Sequence, residues 1–268
     1  MSRLYDALRK IEEQGTELTT KPTRSSLVAS EAPDTLQSVP VLHAHLNPES
    51  RVVVSADESC PGAERFRLLR MGLRNLQARK NMKTVLITSA LPNDGKSTMA
   101  LNVGTSLAEG GKAKVLICEA DFRRPSLARV LGLEPWEGLT ESLEDGHDPA
   151  AAMRRIEPLG IYLLPAGKPV QNPIELFQKE RFASLLRECR SRFDWILVDS
   201  PPAFPLADTM ALKALVDGTL LVVRADNTPR ESVLEALGLF EPGQVIGLIL
   251  NAAADVDKLY SDYYRYKP

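Results

Sequence analysis

Six strand-length apolar runs constrain this chain more than any other feature: Thr84–Thr88, Lys114–Cys118, Ile161–Leu164, Trp195–Val198, Thr219–Val223 and Val245–Leu250. Consecutive apolar residues in such runs would bury both faces of a strand. Helical spacing fills the gaps over Ser97–Ala108, Glu180–Arg190, Asp208–Leu215 and Glu231–Leu237. A further helix is expected over Glu64–Ala78, where Phe66, Leu69, Leu73 and Leu76 recur. Doubly buried strands alternating with helices indicate a parallel sheet covered on both sides. The expected fold class is α/β, a doubly wound, mostly parallel sheet flanked by helices.

Residues 1–59 carry no such alternation. Leu4, Leu8 and Ile11 would line one face of a short amphipathic helix over residues 1–14. About a dozen residues make only a marginal helix alone. The segment therefore reads either as a frayed terminus or as a docking helix for a partner or a membrane surface. Residues 15–59, rich in Thr, Ser, Pro and Glu, read as a flexible N-terminal linker. The folded domain is expected over 60–255, followed by a tail over 256–268.

Charge and composition exclude several classes. Lys and Arg total 33 against 35 Asp and Glu, a net charge of −2, and aromatics are 6%. No nucleic acid is expected as partner, since its binders show a basic excess or a stacking platform. Cys60, Cys118 and Cys189 form no C-x-x-C pair, and His43 and His45 lie in the linker, so neither a disulfide framework nor a zinc site is expected. No apolar run approaches the roughly 20 residues that span a bilayer, and no secretory signal opens the chain. The expected compartment is the reducing cytosol.

The segment Ser89-Ala-Leu-Pro-Asn-Asp-Gly-Lys-Ser-Thr98 joins a strand to a helix and ends as phosphate-binding loops end. Asn93, Asp94, Gly95, Lys96, Ser97 and Thr98 are the expected nucleotide contacts. Gly95 lets the backbone approach phosphate oxygens with no side chain in the way. The loop amides and the helix start make an anion site. Lys96 would place its charge on the β- and γ-phosphates, and Ser97 its hydroxyl on Mg2+. Where the usual pattern has its first Gly, this chain has Ala90. Two strand ends supply acids: Glu119 and Asp121 after Val115-Leu-Ile-Cys, and Asp199 after Trp195-Ile-Leu-Val. At the carboxyl ends of a doubly wound sheet these three would face the same phosphates. Asp121 and Asp199 are candidate Mg2+ holders, and such carboxylates also orient nucleophiles. The plainer reading is that strand-end acids cap the loops that follow.

These motifs together resemble the bacterial tyrosine kinases (BY-kinases) of capsule and exopolysaccharide synthesis, in the P-loop NTPase branch shared with the MinD and ParA ATPases. The resemblance runs from about Cys60 to the C-terminus. The loop S-A-x-P-x-x-G-K-S-T has the BY-kinase form, with Leu91 where MinD and ParA carry an extra Lys. The family's D-x-D-x-R stands here as Glu119-Ala-Asp121-Phe-Arg123, a Glu one methylene longer than the usual Asp. Leu164-Pro-Ala-Gly167 and Asn172-Pro-Ile-Glu-Leu176 are also similar. The resemblance implies catalytic roles for Lys96, Glu119, Asp121 and Asp199, with Glu119 accepting or orienting the tyrosine proton. It implies cofactors ATP and Mg2+, a cofactor contact by Arg123, and a base contact by Asn251 in Gly247-Leu-Ile-Leu-Asn251. Glu64, Arg67 and Arg70 share a helix face as E-x-x-R-x-x-R; on spacing alone this is a solvated face, and the resemblance implies a ring-like homo-oligomer contact.

The C-terminus reads Leu259-Tyr-Ser-Asp-Tyr-Tyr-Arg-Tyr-Lys-Pro268 and holds four of the six tyrosines. Composition alone leaves a sticky docking tail and a phospho-acceptor tail equally open. With the resemblance, Tyr260, Tyr263, Tyr264 and Tyr266 are the expected phospho-acceptors, labelled between subunits. The implied function is an ATP-dependent protein tyrosine autokinase regulating polysaccharide polymerisation or export. Its implied partners are a membrane-embedded co-polymerase or activator, which recruits it to the inner face of the membrane, and a tyrosine phosphatase. The competing expectations are a MinD/ParA-like ATP-switched assembly protein and a kinase-inactive nucleotide-binding scaffold.

Overall fold

The computed structural model describes residues 35–46, 50–53, 61–178, 180–204 and 207–253. The expected helix over 1–14 and the four tail tyrosines Tyr260, Tyr263, Tyr264 and Tyr266 lie outside the described residues. The chain divides after Gln37, and the architecture below belongs to the unit that follows.

Its elements run β1 (Val41–His43), α1 (Pro61–Lys80), β2 (Thr84–Ser89), α2 (Lys96–Ala108), β3 (Val115–Glu119), α3 (Leu127–Val130), α4 (Leu139–Glu144) and α5 (Pro149–Ala152). Then come β4 (Arg154–Glu157), β5 (Ile161–Leu164), α6 (Pro173–Gln178), α7 (Glu180–Arg192), β6 (Trp195–Asp199), α8 (Asp208–Lys213), β7 (Gly218–Arg224), α9 (Arg230–Gly238) and β8 (Val245–Asn251). The strands form one sheet in the order β1-β4-β5-β3-β6-β2-β7-β8. Every neighbouring pair is parallel except β4 with β5. All six strands and all five helices expected within 60–255 are present, with ends shifted by a few residues.

β2, β3, β5 and β6 are buried along their whole length. This is why their sequences do not alternate. α2 is buried on nearly every residue, between the sheet and α1. A side chain at Gly104 would put its Cβ 2.8 Å from Ile117 Cδ1, so glycine sets how closely α2 approaches β3. β8 differs: it is the last strand of the sheet, and Leu248 and Leu250 are exposed. Two strands escape the sequence reading. Arg154–Glu157 is polar, and Val41–His43 lies inside the range expected to be linker; they pair with one another at the opposite edge. Among the described residues no helix is long and apolar enough to cross a membrane.

Burial predicts where truncation hurts. Leu101→Ala, at a fully buried position of α2, should cost about 2–5 kcal/mol of unfolding free energy. Leu248→Ala, at a mostly exposed position of β8, should stay within about 0.5 kcal/mol of the parent. Urea denaturation midpoints check both.

Candidate active site

The loop between β2 and α2 turns through two left-handed residues, Asn93 (φ 67°) and Gly95 (φ 97°). Gly95 is obligatory twice over. Its φ disfavours a side chain, and a Cβ there would sit 2.2 Å from Asn251 Nδ2. The first amides of α2 then point out of the helix without intrahelical partners, which is the geometry that holds anions.

The loop is braced from β7 and β8. Asp94 is buried, and its carboxylate accepts from Leu91 N (2.9 Å) and from the Thr228 hydroxyl (2.7 Å). Asn251 Nδ2 donates to Asp94 O (2.8 Å), and Arg224 donates to Asn93 O (3.3 Å). Asp94, an expected ligand contact, turns its side chain into the loop's own scaffold, which leaves the loop amides to a ligand. Asn251 also lines a 490 Å3 cavity with Gly95, Thr98, Phe66 and Leu250, but its amide nitrogen is committed to the loop. Thr228 and Arg224 escaped the sequence reading, because more than a hundred residues separate them from the loop.

At the foot of the loop Lys96 Nζ meets Asp121 Oδ2 at 2.8 Å. Burial works against the Lys96 ammonium, but Asp199, Asp121 and Glu119 outweigh it and hold its pKa above the ordinary lysine value. Glu119 and Asp199 stand side by side in register at the ends of β3 and β6. Asp199 is fully buried, and neither of its oxygens makes a hydrogen bond among the described residues. The Ser97 hydroxyl lies beside it without reaching that geometry. Burial pushes the Asp199 pKa up to about 7, against the pull of Lys96 and the Ser97 hydroxyl. Three acids and one ammonium leave an excess of buried oxygen charge, which suits a hard divalent cation. Among the described residues no cluster of three acidic, His or Cys side chains could cage a metal alone. The donors therefore fit Mg2+ carried on phosphate oxygens and water, with Ser97, Asp121 and Asp199 around it.

Glu119 is held differently. Its Oε1 accepts from Ser126 N (2.6 Å) and Leu127 N (2.7 Å), and its Oε2 from Ala166 N (3.1 Å). Burial raises its pKa while these amides pull it down. A 960 Å3 cleft opens over the loop, lined by Lys96, Ser97, Asp121, Arg123, Arg124, Arg129 and Arg224 among others. Glu119 is absent from that lining and instead borders a neighbouring 80 Å3 slot. It is the expected proton acceptor, and its carboxylate ties the start of α3 to the loop after β5.

Arg123 lines the cleft, but its guanidinium is held by the buried carboxylate of Asp208, at 2.6 and 3.3 Å. This pair bolts the loop after β3 to the start of α8, and Thr209 bonds the same helix to Pro201 O (2.9 Å). Nothing in the sequence marked Asp208, which reads as an ordinary helix-start acid. The E-x-x-R-x-x-R face lies apart from the cleft. Glu64 pairs with Arg67 at 2.7 Å, while Arg70 binds Glu109 (2.9 Å) and Ser106 O (3.0 Å) within the chain.

Two predictions follow from the buried charges. Asp199 has a raised folded pKa, so its contribution favours folding below about pH 4 and is lost as pH climbs through about 7. Asp199→Asn should therefore be more stable than the parent at pH 8, with the gap narrowing below about pH 7 and closing near pH 4, in urea melts with chelator present. For the Arg123–Asp208 pair, Arg123→Ala strands a buried carboxylate and should cost about 3 kcal/mol. Asp208→Asn leaves only a partly exposed guanidinium and should cost less. The double variant should recover most of the Arg123→Ala loss, as a double-mutant cycle would read.

Residues 82–253 match the family model described as cellulose biosynthesis protein BcsQ. The chain is similar to the tyrosine-protein kinase YwqD of Bacillus subtilis (strain 168), 30% identical over 206 residues, covering 76% of this chain and 86% of that protein. It is similar to the succinoglycan biosynthesis transport protein ExoP of Rhizobium meliloti (strain 1021), 34% identical over 222 residues, 80% of this chain but only 28% of that protein. Among solved structures it resembles the kinase domain of the Escherichia coli tyrosine kinase ETK, with TM-score 0.71 and 26% identity over 76% of this chain and 80% of that one. With its fold, its loop and these relatives, the chain belongs to the bacterial tyrosine kinase family, within the BcsQ/ParA-like group of P-loop proteins.

Proposed function

We propose that this protein is an ATP-dependent tyrosine autokinase of an exopolysaccharide or capsule system, acting on the C-terminal tyrosines of a neighbouring subunit. The observation that carries the reading is Lys96, held by Asp121 beside the unpartnered Asp199 at the foot of a phosphate loop. In this reading the loop amides and Lys96 hold the β- and γ-phosphates. Mg2+, when bound, neutralises phosphate charge during transfer. Ser97, Asp121 and Asp199 would hold it. The phenolic oxygen forms the new bond to the γ-phosphorus as the bond to the β–γ bridging oxygen breaks, and ADP leaves. Glu119, at the end of β3, accepts or orients the phenolic proton. The cavity beside Asn251 and Thr98 takes the adenine base. ATP hydrolysis replaces transfer when water rather than a tyrosine is in place.

A membrane-embedded co-polymerase would activate the kinase and recruit it from the cytoplasm to the inner face of the membrane. A tyrosine phosphatase would reset it, and the face of Glu64, Arg67 and Arg70 would meet the next subunit in a ring. One observation favours a second reading, an ATP-switched assembly protein or kinase-inactive scaffold: the family's first acid, here Glu119, is spent on backbone amides.

Incubation with MgATP and the activator, followed by phosphosite mapping, separates the two. Phosphate should fall on Tyr260, Tyr263, Tyr264 and Tyr266. It should nearly vanish when all four are Phe, and also in Lys96→Met, whose MgATP binding should be lost as well. A four-Phe protein with undiminished phosphotyrosine, or a wild type with none, overturns the autokinase reading.

A further inference from the structure

The cleft carries more positive charge than its floor uses. Lys96 is paired with Asp121 and Arg123 with Asp208. Arg224 leans on the loop at Asn93. Arg124 and Arg129 are exposed, line the same cleft, and have no ion pair or side-chain hydrogen bond among the described residues. They flank Pro125-Ser126, whose serine amide is fixed by Glu119. Arg129 also borders the adjoining slot, walled by Pro125, Pro135, Pro165 and Trp136. Those walls are stiff: prolines have little freedom, and the Trp136 indole donates to Ala152 O (2.9 Å). Two guanidiniums without partners among the described residues, lining the same cleft as the phosphate loop, form a site for an anion other than the nucleotide.

We infer that Arg124 and Arg129 form a phosphotyrosine-reading wall, which binds an acceptor segment already phosphorylated beside the tyrosine to be modified next. This rests on the autokinase reading above. The tail's own charges explain why phosphate rather than carboxylate is read. Residues 255–268 hold Asp255, Asp257 and Asp262 against Lys258, Arg265 and Lys267, which cancel. The unmodified tail therefore offers the wall no net charge. One transfer adds about −1.5 to −2 and three acceptor oxygens within a few residues of the next hydroxyl. Guanidiniums bind that group in a fork geometry. Each transfer then favours the next, so the cluster fills in sequence rather than at random.

The test reads binding and needs no turnover. A labelled synthetic peptide of residues 255–268 is titrated with the full chain, Mg2+ and a non-hydrolysable ATP analogue, unmodified and with phosphate on Tyr264. The phosphopeptide should bind about tenfold tighter, the scale of one charge-assisted contact. In Arg124→Ala/Arg129→Ala the two peptides should bind alike. Equal affinity of the wild type for both peptides, including no binding of either, overturns the inference. So does a double variant that keeps the preference, or one whose main loss is affinity for the nucleotide analogue. Phosphosite mapping reports separately on the autokinase reading, so the two can fail independently.

Discussion

A single ammonium among three buried carboxylates organises this molecule. Lys96 is held over the ends of β3 and β6 by Asp121, with Glu119 and Asp199 close by. A buried acid with no hydrogen bond is costly, and Asp199 makes none among the described residues. The fold tolerates it because four fully buried strands fix the positions from which the acids project. The arrangement is a poor solution for an empty protein and a good one for a protein loaded with a cation and a polyphosphate. Such a ligand would relieve the least favourable electrostatic feature of the fold, which would link stability and function at one point.

The supporting shell divides labour among residues that a motif treats alike. In the sequence, Asn93 to Thr98 form one contact set. In the structure, Lys96 and Ser97 face the cleft, while Asp94 is turned inward onto Leu91 and Thr228. Likewise the E-x-D-x-R run splits three ways: Glu119 to backbone amides, Asp121 to Lys96, Arg123 to Asp208. Each of these ties fixes a different loop, so the floor of the cleft is rigid from several directions.

Most of the fold was legible in the sequence, because strands buried on both faces leave an apolar run that nothing else explains. The loop and the three acids were legible for the same reason: they sit where those runs end. What was illegible depends on partners far along the chain. β4 is polar and short, and β1 lies in a stretch whose composition resembles linker, so neither carries a periodic signal. The exposed face of β8 follows from its place at the sheet edge, which an apolar run cannot announce. Asp208, Thr228 and Arg224 became meaningful only when the sheet brought them to residues 85 to 134 positions away.

The strand order also bears on how the chain assembles. β2, which leads into the phosphate loop, pairs with β6 and β7, both more than a hundred residues downstream. The loop's last brace, Asn251, lies 157 residues beyond Asp94. Contacts so distant in sequence are slow to form, since the intervening chain must be closed first. During synthesis the phosphate loop leaves the ribosome early and is completed last. A nascent chain that ends before β8 lacks the side chain against which Gly95 is packed, so the loop takes its final shape near the end of folding rather than part by part along it.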